Sequence, residues 1–117
     1  MPDNVENTPA FLELTRILED SVREGVMSLS LEWKGRELMV FYQAGMVGLG
    51  AARISAGLQG AVIEELIGRA DLASKTCGKM QMTLLDAEFD IVVEEYDSFG
   101  ESAFNLTLKE QKRKPDK

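Results

Sequence analysis

The sequence predicts one α+β domain ordered α-βββ-α-βββ, an antiparallel sheet or sheets built from two three-stranded meanders with two covering helices. Three observations predict it. Two segments carry apolar residues at three- and four-residue spacing, six carry them at every second residue, and short breaks rich in glycine or aspartate separate the six. The chain has 117 residues, enough for one core and too few for two comfortable ones.

Residues 1–7 are polar and acidic and are expected to be disordered. Thr8-Pro9 reads as a helix start, with Thr8 as N-cap and Pro9 at the first helical position, where its missing N–H costs nothing. Phe11, Leu14, Ile17, Leu18 and Val22 then form an apolar stripe, and Gly25 ends the helix in the left-handed conformation. From Val26 the period falls to two: Met27, Leu29, Leu31 and Trp33 alternate with Ser28, Ser30 and Glu32. Taking Lys34-Gly35 as a hairpin loop pairs Leu31 with Leu38, Leu29 with Val40 and Met27 with Tyr42, all on one face. A second turn at Ala44-Gly45 sets Val47, Leu49 and Ala51 beside Tyr42, Val40 and Leu38.

Ser55 is placed to cap the second helix, whose stripe is Leu58, Val62, Ile63, Leu66, Ile67 and Ala70. Its periodicity extends toward Cys77, with Gly78 as the stop. The strand pattern then returns. A turn near Asp86-Ala87 brings Leu84 opposite Phe89, Met82 opposite Ile91 and Met80 opposite Val93. A loop around Asp97-Ser98-Phe99-Gly100 sets Phe104, Leu106 and Leu108 against Val93, Ile91 and Phe89. The halves share this pattern without convincing sequence identity, and pattern alone leaves open one sheet or two. The expected domain is 8–109, followed by a charged, disordered tail at 110–117.

Composition narrows the function. Net charge is −7, which disfavours a nucleic-acid partner, and the basic cluster at Lys112-Arg113-Lys114 has no aromatic residue to stack on bases. No apolar run has the roughly 18–20 residues of a membrane helix, so no membrane insertion is expected. One cysteine, Cys77, precludes an internal disulfide framework and points to a reducing compartment, the cytoplasm. There is no histidine, which removes the commonest general base and metal ligand.

No catalytic, metal or cofactor site is expected. Glu32 and Glu37 fall opposite each other across the first hairpin, and Glu94, Glu95, Asp97 and Glu101 cluster near the last, but neither has calcium-loop spacing. Gly45-x-x-Gly48-x-Gly50 lacks the order and helix start of a phosphate loop. Cys77, between Lys75 and Lys79, reads as a buried or half-buried structural thiol. The reverse face of the first meander offers more: Ser28 and Ser30, Met39 and Phe41, Gly48 and Gly50 form a flat, semi-apolar patch. It is either extra core beneath a second layer or a partner-binding surface carried by Met39 and Phe41, with Phe99 at a loop tip as a further contact.

Arg23-Glu24-Gly25-Val26-Met27-Ser28-Leu29, then Gly35, Leu38, Phe41, Ala44-Gly45-Met46-Val47 and Ala51, and finally Gly60-Ala61-Val62-Ile63-Glu64-Glu65-Leu66, resemble the PATAN-type domain over roughly residues 10–67. The resemblance implies a bacterial signalling module that binds proteins and has no known catalysis. Residues 79–109 carry more strand than that family leads one to expect. The second half is also similar to a Roadblock-type regulatory domain, usually dimeric. The function expected is therefore a non-enzymatic interaction module with a protein partner, itself homodimeric. Two rivals stand beside it: an acidic chaperone or adaptor for a secreted or pilus-type client, and a carboxylate-based small-molecule-binding domain or enzyme.

Overall fold

The computed structural model describes residues 8–44 and 47–111, and of Val47 and Leu49 the backbone only. The expected disordered end at 1–7, most of the charged tail and part of the Ala44-Gly45 turn lie outside the described residues. Helix α1 spans Pro9–Arg23. Thr8 Oγ1 accepts from Phe11 N at 3.1 Å, capping a donor that the helix itself leaves free. Glu24 closes the helix, and Gly25 follows with φ 74°, the left-handed turn a glycine makes without a Cβ penalty.

Strands β1 (Ser28–Lys34), β2 (Glu37–Ala44) and β3 (Val47–Arg53) precede helix α2 (Gln59–Ala70). Strands β4 (Cys77–Leu84), β5 (Ala87–Ser98) and β6 (Glu101–Glu110) follow it. The element order is the expected one, and all six strands form a single antiparallel sheet ordered β3-β2-β1-β6-β5-β4. The two meanders join where β1 pairs with β6, from Ser28 opposite Thr107 to Leu31 opposite Phe104.

The three hairpin turns whose residues are all described sit one residue from their expected positions. The first loop is Gly35-Arg36, so Leu31 faces Val40 and Leu29 faces Tyr42. The β4–β5 loop is Leu85-Asp86, which sets Met82 against Phe89 and Met80 against Ile91. The β5–β6 loop is Phe99-Gly100, which sets Leu106 against Val93 and Leu108 against Ile91. Backbone geometry explains the choice: Leu85, Asp86, Phe99 and Gly100 all have positive φ, as type I′ turns require at both central residues. Moving a two-residue turn by one position shifts each partner by two residues, which returns every side chain to its own face. The apolar face therefore survives the error.

The β2–β3 pairing does not follow the expected register. A bulge between Tyr42 and Gln43 of β2 and Gly48 and Gly50 of β3 puts Ala52 opposite Val40 and Ala51 opposite Phe41. Ala51 is thus on the reverse face, and Gly50, opposite Tyr42, is on the apolar one. The second helix also differs at both ends. Ser55 does not cap it; Leu58 stands at the cap without a side-chain bond. It stops at Asp71 in the left-handed conformation, and Cys77 and Gly78 belong to β4. The apparent continuation rested on Ala73 and Cys77, which keep the three- and four-residue spacing of the stripe although both lie beyond the helix.

Both helices lie on one face of the sheet. Leu14, Ile17 and Leu18 of α1 and Val62, Leu66 and Ala70 of α2 share one buried cluster with Leu29, Leu31, Leu38, Val40, Ile91, Phe104 and Leu106. Burial of this apolar surface is the main force holding the layers together. Arg69 adds a clamp between the helices, its guanidinium 4.0 Å from the Phe11 ring centre while it bonds Glu65 at 2.7 Å.

Candidate functional site

Strand registers assign the residues of the opposite face. One row crosses all six strands in the order Ala51, Phe41, Ser30, Asn105, Glu94, Cys77. The neighbouring row begins Arg53, Met39, Glu32, and includes Ala103 opposite Tyr96. Among the described residues no helix or strand covers these rows, because both helices are committed to the other face. Met39 and Phe41 are half-buried on this open face, not core beneath a second layer. The β3–β2 side of the face carries Met39, Phe41 and Ala51, with the Lys34 ammonium 5.6 Å from the Phe41 ring centre and Arg53 paired to Glu37. The β5–β4 side is more acidic, with Asp90 and Glu94.

The centre of the face is closed off without a covering element. Ser30 is 2% exposed and Ala103 is 0% exposed. Tyr96, on the far side of Ala103 from β1, donates its hydroxyl to Glu32 Oε2 at 2.7 Å, so phenol and carboxylate arch over the small residue between them. Burial, and then the Glu32 carboxylate that accepts this bond, push the Tyr96 phenol up to about 12. The Ser30 hydroxyl is near enough to the phenol to offset part of that rise. It makes no hydrogen bond of proper length and angle, however, and is left a buried polar group without a partner.

Beside the arch lies a hollow of about 460 Å³ with Ser30 in its lining, together with Gln43 and Asn105 on one side and Glu94, Glu95 and Tyr96 on the other. Thr76 and Cys77 complete it, and none of its lining residues is basic. Cys77 is exposed here, contrary to the expectation of a buried thiol. A larger recess of about 660 Å³ lies between the start of α1 and α2, but two of its charged residues, Glu65 and Arg69, already pair with each other.

Phe99 stands apart from Met39 and Phe41. Pairing with β4 ends at Glu94 and pairing with β1 ends at Phe104, so the tip of the β5–β6 hairpin projects beyond the sheet. Phe99 is at its turn, 100% exposed, with φ 53°. A bulky side chain in the left-handed region costs about 1 kcal/mol or more, so stability does not account for it.

The carboxylate pairs of the sequence are not brought together. Glu32 faces Met39, and Glu37 faces Lys34. Glu37 instead takes Arg53 at 2.7 Å. Around the last hairpin, Glu95 accepts from Ser102 Oγ at 2.8 Å, and Asp97 accepts from Gly100 N at 3.4 Å. Among the described residues no three Cys, Asp or Glu side chains converge as a metal site would need. No helix among the described residues is long and apolar enough to cross a membrane.

Sequence reasoning found Met39, Phe41 and the small residues around them through alternation in β1 and β2. It missed the hollow, because Asn105, Glu94 and Tyr96 come from the second meander and meet Ser30 only through the β1–β6 pairing. No known family model matches the chain, and no curated protein matches it in sequence.

Proposed function

We propose that this chain is a non-catalytic protein-interaction module of bacterial signalling or regulation, working in the cytoplasm and docking its partner on the open face of the sheet. The observation that carries this reading is a six-stranded sheet with helices on one face only and Met39 and Phe41 on the other. Methionine and aromatic side chains bury large area and adapt to a partner's contour. The PATAN-type resemblance agrees with it, and so does a chain without histidine.

Homodimerisation belongs to the same proposal and is assigned to the β4 edge. The other edge, β3, is broken by its bulge, while β4 pairs with β5 without interruption from Cys77 to Leu84 and contains no proline. Sedimentation velocity across a concentration series is expected to show a reversible monomer–dimer equilibrium.

Met39→Glu and Phe41→Glu test the docking face. Each variant is expected to keep the far-ultraviolet circular dichroism of the parent and to lose less than about 1 kcal/mol in urea unfolding, as surface substitutions do. Each is also expected to lose the proteins that the parent retains from its source lysate. Unfolding of both variants would place the two residues in the core and remove the docking face.

A further inference from the structure

We propose that the hollow on the open face seats a basic side chain, arginine in particular, of the protein segment that docks there. This rests on the docking reading above and adds what the partner must present. Charge is the first ground. Glu94 presents its carboxylate to the hollow, Glu32 accepts from Tyr96 at its margin, none of the lining residues is basic, and the whole chain carries −7. The nearest outward lysine of β4, Lys79, stands in the next row, opposite Val92.

The second ground is independent of charge. Ser30 Oγ is buried on the hollow's floor without a partner, and a buried hydroxyl left unpaired costs the fold about 1–3 kcal/mol. A donor entering the hollow would satisfy it. Ser30 Oγ, the Asn105 side-chain oxygen and the Glu94 carboxylate come from three neighbouring strands of one row, so their acceptors lie side by side. A guanidinium carries five donors in one plane and meets several acceptors at once, which an ammonium does less well. The apolar Phe41 and Ala51 continue the same row, so a segment with an apolar residue beside its arginine would engage both halves of the face.

The test is a titration of the isotope-labelled full chain, followed by amide chemical shifts, with three probes. They are the capped tripeptide Leu-Arg-Leu, the same peptide with uncharged citrulline in place of arginine, and spermidine. The arginine peptide is expected to shift the amides of Ser30, Asn105 and Glu94, and the citrulline peptide to bind at least about tenfold more weakly. Glu94→Gln and Ser30→Ala are each expected to weaken the arginine peptide about fivefold, with Ser30→Ala at least as resistant to urea as the parent because it removes an unpaired group.

Absence of those shifts, equal binding of the citrulline peptide, or unchanged affinity in both variants would overturn the proposal. Tighter binding of spermidine than of the peptide would overturn a protein source for the cation. The two readings fail separately. Should Met39→Glu and Phe41→Glu bind the arginine peptide as the parent does while Glu94→Gln does not, the cation seat stands and the docking face falls. Loss in the first pair with Glu94→Gln and Ser30→Ala unaffected removes the seat alone.

Discussion

Gly78→Ala is expected to destabilise the protein by about 3 kcal/mol, at the upper end of what overpacking costs. Gly78 is in β4, opposite Val93, under the C-terminal end of α2. A Cβ there would overlap the Ala70 carbonyl oxygen, and would lie 3.0 Å from the Ala70 carbonyl carbon and 3.2 Å from Leu72 Cδ2. The obstacle is helix backbone, which cannot turn aside as a flexible side chain can. Either α2 lifts from the sheet or β4 bends, and both open the core at Ala70 and Leu72. Gly68, in α2, is the control: a Cβ there meets nothing within 4 Å. Gly68→Ala is therefore expected to gain about 0.5–1 kcal/mol, the ordinary helix preference for alanine. Urea unfolding of the two variants beside the parent checks both signs.

Glu13→Gln is expected to cost about 2 kcal/mol at neutral pH. Glu13 is buried on α1 beneath the chain that leads from β3 to α2. Its Oε2 accepts from Ser55 N at 2.8 Å and from Ser55 Oγ at 2.9 Å, while Arg16 donates to both carboxylate oxygens, at 3.2 and 2.8 Å. The Arg16 bond is the largest influence, burial opposes it and Ser55 adds to it, and together they hold the carboxyl down at about 2. Taken whole, the shift from 4.5 to about 2 corresponds to about 3 kcal/mol. Arg16 is 47% exposed, and solvent screening of that partner reduces the figure to about 2.

The sign of the pH dependence follows from a carboxyl whose pKa is lower folded than unfolded. Its stabilisation is complete above 4.5 and is lost as pH falls from there through about 2. The difference between parent and Glu13→Gln should thus be constant from pH 6 to 8 and have fallen by more than about half at pH 3. A difference that persists undiminished at pH 3 would mean that the charge on Glu13 contributes nothing.

The same residues show what was legible in advance. The Thr8-Pro9 start, the Gly25 stop and the alternation of β1, β2, β4, β5 and β6 are local signals, and the structure keeps all of them. Turn positions were less legible, because a favoured two-residue loop depends on which residues accept positive φ, and Leu85 and Phe99 do so here against their type. The β3 bulge has only glycines to announce it, and glycines in a strand mark a bulge or a close approach equally well. Gly78 is the close approach, mistaken for a helix stop because the helix that crosses it is distant in pairing and near in sequence.

Ser55 shows the limit of reading caps from one segment. Its hydroxyl and amide are taken by Glu13, which is 42 residues earlier in the chain and sits on a helical face otherwise apolar at Ala10, Leu14 and Ile17. A carboxylate in that stripe was a visible signal; its partner was not. The docking face was half legible for a similar reason. Alternation placed Met39 and Phe41 opposite the core, but whether a second layer covered them depended on the six strands forming one sheet.

Hydroxyl-radical footprinting of the native protein, read at single methionines by mass spectrometry, tests the one-sided sheet most directly. Met39 on the open face is expected to oxidise in the folded state, while Met80 and Met82, each 5% exposed beneath the helices, are protected until the chain is unfolded. Protection of Met39 equal to that of Met80 and Met82, in dilute monomeric protein, would show that its face is covered and would contradict the account.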